Sequence, residues 1–524
     1  MAARLTAFVV AAIVAITFVA GLIVGAQRED DSGPIDLIVY NGHVYVGDPA
    51  KGFAEAIAIR GNRILRVGSN HDIKRFMRRA QTLIDAQGGS VLPGFNDAGL
   101  DLFAEGFELD AVRQTIADAH RVGLTSAHVV LRSADDLSLL EDLEKRGELT
   151  LRVSAALTAT LPIDAAEVDR LEAIRRLHPG DALLKVAAVR LTVPVQASVT
   201  PHAAVAATGA AARTTTATTA RVATASARTA AVASAPGAAA AAQRSRGKKA
   251  PPAPVVINAE TLATAISMLD QRGWQVIVAP ADAASVEMTA AAFEEALKTP
   301  RLDNAPRRHR IELPVPLDAT SSARLDALGI IQSFQSAAAP PASASAAGAT
   351  GAAAEGAVTP GAPTVTPAAA STAAATIVGA AESAIAAPAM PTTRLAPISS
   401  RAIFRSDWPA RPLDPRFTLA AAIAEEAATP EDTTKPSGSA TERAAWLAGA
   451  IDAYTARAAY ATFDETRKGT LAKDMLADLV IFTTDLFDAK RPAPVTDTTI
   501  TTTIANGRVV FTATQAKPQL ATAP

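Results

Sequence analysis

Residues 91–106 read VLPGFNDAGLDLFAEG. An apolar strand stops at Pro93-Gly94, restarts at Phe95, and ends with Asp97, Gly99 and Asp101 spaced two apart. Alternate residues of a strand share one face, so such an ending aims its side chains at a single point. What stands at 99 and 101 decides what the strand end can do.

On either side of this stretch the patterning is that of strands. DLIVYNGHVYVGD (36–48) and EAIAIRGNRILRVGS (55–69) alternate apolar with polar residues, with Gly61-Asn62 as a hairpin turn. Near the other terminus ADLVIFTTD (477–485) and TITTTIANGRVVFTA (499–513) repeat the pattern, with Asn506-Gly507 at the turn. Half-sheets at opposite ends of a chain can form one sandwich only if the middle returns its ends to the same place, and a closed barrel does that.

The middle supplies eight candidate strands, at 90–98, 123–131, 150–158, 183–191, 274–279, 309–313, 330–334 and 402–405. Helical patterns at 109–122, 258–273 (with Asn258 as N-cap) and 284–298 fall between them. Eight strands interleaved with helices predict an α/β chain with a (β/α)8 TIM-like barrel. The expected organisation is a membrane anchor or signal at 1–30, sandwich halves at 34–89 and 467–515, and barrel segments at 90–195, 255–335 and 394–466, with a tail at 516–524.

Two stretches fall outside this core. Residues 196–254 are rich in Ala and Thr and contain Arg and Lys without Asp or Glu; residues 336–393 are almost uncharged and rich in Ala, Pro, Gly and Thr. Neither can bury enough surface to offset the entropy of ordering it, so both are expected to be disordered inserts. They also explain how a chain of 524 residues can be 49% hydrophobic with only 4% aromatics: alanine carries much of that count.

Residues 5–26 form an uncharged apolar run, preceded by Arg4 and followed by QREDD. That is about the length, roughly 20 residues, that a helix needs to cross a bilayer. The reading favoured is an N-terminal transmembrane helix, single-pass in an inner membrane, with the folded part periplasmic. The alternative is a secreted periplasmic protein released by cleavage after the small residues Val24-Gly25-Ala26. A net charge of −2 gives no pull towards nucleic acid, and the absence of cysteine excludes disulfides and thiolate sites. The membrane is the one expected partner; a protein partner or small-molecule ligand is left open.

Five stretches together carry a family resemblance: 36–69, VLPGFNDA (91–98), RVGLTSAHVV (121–130), SDWPARPLDPRF (406–417) and AYTARAAYATFDETRKGTLAKDMLADLVIF (453–482). They resemble the amidohydrolase superfamily, in particular its N-substituted-formamide-deformylase-like branch. The resemblance implies a metal-dependent (β/α)8 barrel with a small β-sandwich made from both termini, and hydrolysis of C–N bonds other than peptide bonds.

It also implies a ligand set, and this sequence departs from it. The paired histidines expected at the end of the first barrel strand are replaced by Gly99 and Asp101. Glycine offers no ligand, and a lone carboxylate suits Mg or Ca better than Zn. The strand-four lysine corresponds to Arg190, which cannot form a carbamate. Two further ligand histidines fall at Ala279 and Leu313. Asp407 alone keeps the family identity, as metal ligand and general base.

Each survivor also has a purely structural role open to it: Asp407 before Trp408-Pro409 in a turn, Asp97 bonding a loop backbone, Asp101 at a helix start. His43, His71, His120, His128, His178, His202 and His309 show no two-apart or four-apart pairing, and His128 reads as a satisfied core histidine. No cofactor is expected, and zinc only if the family activity is retained. The favoured reading is a catalytically degenerate barrel acting as an anchored binding or scaffold protein. The alternatives are an active amide or formamide hydrolase with an atypical site, and a chain whose family structure has eroded.

If 196–254 is disordered, trypsin should cut the native chain first at Arg213, Arg221, Arg228, Arg244, Arg246, Lys248 or Lys249. Residues 336–393 lack Lys and Arg, so that stretch should yield to elastase only. Resistance of 196–254 under native conditions would mean that it is packed.

Overall fold

A segment covered on both faces by apolar partners can be apolar at nearly every position, and IDLIVY at the start of the fold is such a segment. The computed structural model describes residues 33–47, 52–180, 182–194, 257–301, 305–314, 317–336, 400–423, 440–490 and 494–513. The expected membrane segment and both expected inserts, apart from Ser336, lie outside the described residues. Among the described residues no helix is long and apolar enough to cross a membrane.

The chain begins with β1 (Ile35–Tyr40), β2 (His43–Tyr45), β3 (Phe53–Ala54), β4 (Ala56–Arg60), β5 (Arg63–Gly68), β6 (Ala80–Asp85) and β7 (Ser90–Pro93). There follow the barrel strands β8 (Phe95–Asp97), β9 (Leu124–Leu131), β10 (Arg152–Ala159), β11 (Leu184–Val193), β12 (Gln275–Pro280), β13 (Arg310–Leu313), β14 (Ile331–Gln335) and β15 (Ala402–Arg405). The chain closes with β16 (Leu479–Phe482), β17 (Ile500–Ala505) and β18 (Arg508–Thr512).

Two sheets outside the barrel run in the orders β5-β4-β1-β6 and β18-β17-β16-β7-β2-β3. Leu37, Val39, Ile57 and Ile59 of the first share a core with Val44, Val91, Leu479, Ile481 and Ile504 of the second. The opposite face of β1, Ile35 and Ile38, packs against Ile73 and Phe76 of the helix Asn70–Met77. The second sheet joins both ends of the chain: β16 pairs antiparallel with β7, Leu479 opposite Pro93. Its β17–β18 hairpin turns at Asn506 and Gly507, both left-handed (φ 53° and 73°), the backbone that a two-residue hairpin with the native twist requires.

The expected strand 90–98 is two strands in two sheets. The Gly94 N–H donates to the Asp478 carbonyl (2.9 Å) in the outer module, and the Phe95 N–H donates to the Gly123 carbonyl (3.0 Å) in the barrel. A Cβ at 94 would run into the Thr125 side chain, so only glycine lets the chain change sheets here.

Strands β8 to β15 are parallel neighbours in sequence order. The ring is joined where the Ala98 N–H donates to the Phe404 carbonyl (2.9 Å). This is a nearly closed eight-stranded barrel of the TIM type. The expected helices stand at Leu109–Arg121, Ala259–Gln271 and Ala283–Ala296, and the Asn258 side chain caps the second by accepting the Thr261 N–H (2.8 Å). No helix is described between β14 and β15; residues 337–399 lie outside the described residues.

The segment from the helix Ala456–Ala461 to Lys468 closes the end of the barrel where the strands begin. Gln275 donates to the Ala461 carbonyl (2.7 Å), and Arg308 to the Tyr460 carbonyl (2.6 Å). Lys185 Nζ donates to the Thr462 carbonyl (2.8 Å) and to Asp464 Oδ2 (2.6 Å). Lys468 is buried 3.7 Å from the same carboxylate. Burial, reinforced by Lys185 and Arg152, pushes its ammonium down from 10.5 to about 8. Between those values the unfolded chain binds the extra proton, so stability should rise as pH rises from about 8 to 10.5. In Lys468→Met that rise should disappear from thermal unfolding measured across the window.

Candidate active site

At the opposite end of the barrel, where the strands finish, TIM barrels carry their active sites. Here β8 ends in Asp97, which is 1% exposed. Its Oδ1 accepts the N–H groups of Gly99 (2.9 Å) and Ser406 (3.0 Å). Burial pushes this carboxyl up to about 6, against the lowering effect of the Ser406 and Gly99 hydrogen bonds. The backbone role read for Asp97 is therefore the one it plays.

Gly99 follows, and its carbonyl accepts the Asp407 N–H (2.8 Å). A Cβ built on Gly99 would stand 2.9 Å from Arg405 Cβ, 3.0 Å from Arg405 Cδ and 3.1 Å from Asp407 Oδ1. The space a side chain at 99 would need is already occupied. Asp101 leaves the group: its Oδ1 accepts the Phe103 N–H (2.9 Å) and a long contact from Arg132 (3.4 Å), so it caps a loop at the rim.

Asp407 lies at a left-handed position (φ 46°) in the turn that the Ala410 N–H closes on its carbonyl (2.8 Å). Arg405 Nε donates to both of its oxygens (2.9 and 2.8 Å), and Gln335 Nε2 donates to Oδ2 (2.8 Å). The rest of the Arg405 fork reaches the Ser333 carbonyl (2.6 Å) and the Leu313 carbonyl (3.2 Å). Asp407 thus makes a turn and an ion pair together.

Across the barrel stands a second ionic cluster. Glu312 accepts from Arg190 Nε (2.9 Å) and from Arg310 Nη2 (2.8 Å). Arg310 Nη1 also donates to His128 Nδ1 (2.6 Å), which requires a neutral imidazole with its proton on Nε2. Burial, reinforced by Arg310, Lys468 and Lys185, holds His128 well below its ordinary value. Burial would raise Glu312, but Arg190, Arg310 and Arg405 together hold it down at about 2.

Strand alternation explains which residues meet. On β13, Arg310 and Glu312 face the barrel interior, whereas Ile311 and Leu313 belong to the main core shared with the surrounding helices. Leu313 is therefore turned away from the mouth, and its neighbour Glu312 is the functional-looking group. Ala279, 8% exposed on β12, contributes no polar atom. Sequence reasoning placed Asp97, Gly99, Arg190 and Asp407 in this region but missed Arg310, Glu312 and Arg405. The signal was present in HRIEL (309–313), where two charges two apart sit in a buried strand.

Does this donor set suit a metal ion? Among the described residues no three His, Cys, Asp or Glu side chains converge as a metal site would need. Both oxygens of Asp407 and both of Glu312 are bound to guanidinium groups. At an effective dielectric of about 20, unit charges about 4 Å apart interact by about 4 kcal/mol, so a divalent cation here would meet repulsion of that order from each arginine. The residues do not fit zinc.

The model of the amidohydrolase family matches residues 104–511. This chain belongs to the amidohydrolase family. A 77-residue stretch is 35% identical to Protein LONG AFTER FAR-RED 3 of Arabidopsis thaliana, covering 15% of this chain and 13% of that protein, far less than its whole length. Among solved structures, an adenosine deaminase from Xanthomonas campestris with bound zinc is 14% identical. It matches 91% of this chain and 93% of its own, with a TM-score of 0.50. An uncharacterized metal-dependent hydrolase from Pyrococcus furiosus is also 14% identical, over 84% of this chain and 97% of its own, with a TM-score of 0.49. Family members are generally metal-dependent, whereas among the described residues of this amidohydrolase-family chain no cluster suited to a metal ion is found.

Glu312→Gln should leave Arg190 and Arg310 with a neutral partner. Breaking a buried ion pair in this way costs about 3–5 kcal/mol, readable as a lower denaturation midpoint. The native Glu312 keeps its charge from its ordinary 4.5 down to about 2. Its contribution is present above about 4.5 and lost as pH falls through 2, so the variant should show a shallower acid-side decline.

Proposed function

We propose that this amidohydrolase-family chain no longer performs metal-activated hydrolysis and has been kept as a binding or scaffold barrel. Within the family, the motifs at 91–98, 406–417 and 453–482 support a likeness to the N-substituted-formamide-deformylase-like branch. The observation that carries the reading is the state of Asp407. It is the one residue that retains a family ligand identity, and both of its oxygens are taken up by Arg405, with Gln335 on Oδ2. A metal bound at Asp407 would have to displace this pair or sit beside the Arg405 charge, which repels a cation, and Oδ2 already has two donors; the arrangement favours the ion pair over a ligand.

The apolar run at 5–26 supports an anchored protein, the barrel lying on the periplasmic side of an inner membrane. Both long alanine-rich stretches depart from the chain just after β11 and β14, at the strand ends that form the mouth.

The test is metal analysis of the purified full-length chain, together with an assay on simple amides and N-substituted formamides. Zinc should be well below one per chain, and hydrolysis should not exceed that of Asp407→Asn. Stoichiometric metal with activity that is lost in Asp407→Asn would instead establish an active hydrolase with an atypical site.

A further inference from the structure

We propose that Arg405 stands in for the metal of the family: its guanidinium does by hydrogen bonding what an ion would do by coordination, gathering the strand ends at one point. The inference rests on the non-hydrolytic reading above and adds a cause for the vacancy at position 99. Gly99 is needed here, because it is what lets the arginine in.

Three observations carry it. The first is reach. From β15, the Arg405 fork bonds carbonyls on β13 (Leu313) and β14 (Ser333) and closes on the Asp407 carboxylate, and its aliphatic stem lies against β8 at Gly99. A metal in such a barrel likewise draws groups from several strand ends to one centre. Five N–H donors in a rigid plane can do so; the point charge of a lysine on a flexible stem cannot.

The second is space. The distances of 2.9 and 3.0 Å from an added Cβ at 99 to Arg405 Cβ and Cδ are below or at the limit of real contacts. A side chain at 99 and Arg405 in its present place therefore exclude one another: the Cβ contact would arise with any residue but glycine at 405, the Cδ contact with a long side chain such as arginine.

The third is charge. Glu312 on β13 is a carboxylate that burial alone would penalise, held by Arg190 and Arg310, and Asp407 at the seam is paired with Arg405. Arginine remains protonated in proteins, so this positive charge is present at every working pH and depends on no ion supply.

A double-mutant cycle on the full-length chain tests the coupling, with thermal unfolding as the readout. Gly99→Ala should lower Tm by about 2 °C or more in the native background. In an Arg405→Gly background, where both contacted carbons are gone, the same change should have little further effect. Arg405→Met and Arg405→Lys should both lower Tm, the lysine failing to rescue because it cannot span three acceptors. Equal loss from Gly99→Ala in both backgrounds, or full rescue by lysine, would overturn the proposal. A chelator and added zinc sulfate, each measured on the unmodified chain, separate this from the reading beneath it. A Tm that falls with chelator means bound metal and defeats both, whereas an unchanged Tm with an uncoupled cycle defeats the arginine replacement alone.

Discussion

A barrel exists only if its last strand finds its first, and in this chain that seam is short. The Ala98 N–H meets the Phe404 carbonyl, the Asp407 N–H meets the Gly99 carbonyl, and Asp97 receives the Ser406 N–H. These three bonds fix where Arg405 and Asp407 lie relative to β8, and so fix the geometry of the whole mouth. With only three residues assigned to β8, the seam has little ladder of its own. Side-chain groups make up the difference, which is why polar residues concentrate there.

Buried charge is costly, and its presence at the centre of a barrel needs a physical account. Removing an ion from water costs several kcal/mol even after relaxation. The cost is met here by multiplicity: each carboxylate receives two or more donors, and each guanidinium spreads its charge over several acceptors. Replacing such a network with apolar residues of similar volume can be neutral or stabilising. Retention of the network therefore speaks for specificity. Arg310 bonded to both His128 and Glu312 ties β9 to β13, and Arg190 ties β11 to β13. The strand ends are thereby held in a fixed arrangement.

Much of the architecture was legible in the sequence. The eight barrel strands stand within a few residues of where alternation placed them, because each is bounded by turn or helix signals. The Asn506-Gly507 hairpin and the Asn258 cap are local chemistry and were read as such. The division at Gly94 was half-visible: Pro93-Gly94 marked a break, but the carbonyls of Asp478 and Gly123 that take Gly94 and Phe95 into different sheets belong to residues farther along the chain. The site was harder. The expected family ligands directed attention to Gly99, Ala279 and Leu313 and away from Arg310, Glu312 and Arg405, which form the ionic network. Leu313 faces the helices because it alternates with Arg310 and Glu312 on β13, a parity that matching to the family's ligand position does not take into account. Asp101 does not start a helix as expected: its carboxylate accepts the Phe103 N–H in the loop ahead of the helix Leu109–Arg121, beside a rim arginine.

The pairing of β7 with β16 has a consequence for how the chain is made. β7 emerges from the ribosome long before its partner β16, so the six-stranded sheet cannot be completed until the whole barrel between them has been made. Until β16 arrives, the inner face of the first sheet, with Leu37, Val39, Ile57 and Ile59, lacks half of its cover. Contacts of such long sequence separation form slowly, and unpaired edges are prone to wrong partners while they wait. A break in the chain anywhere between the first sheet and β16 would thus leave that sheet without its full lid, although none of the sheet's own residues had changed.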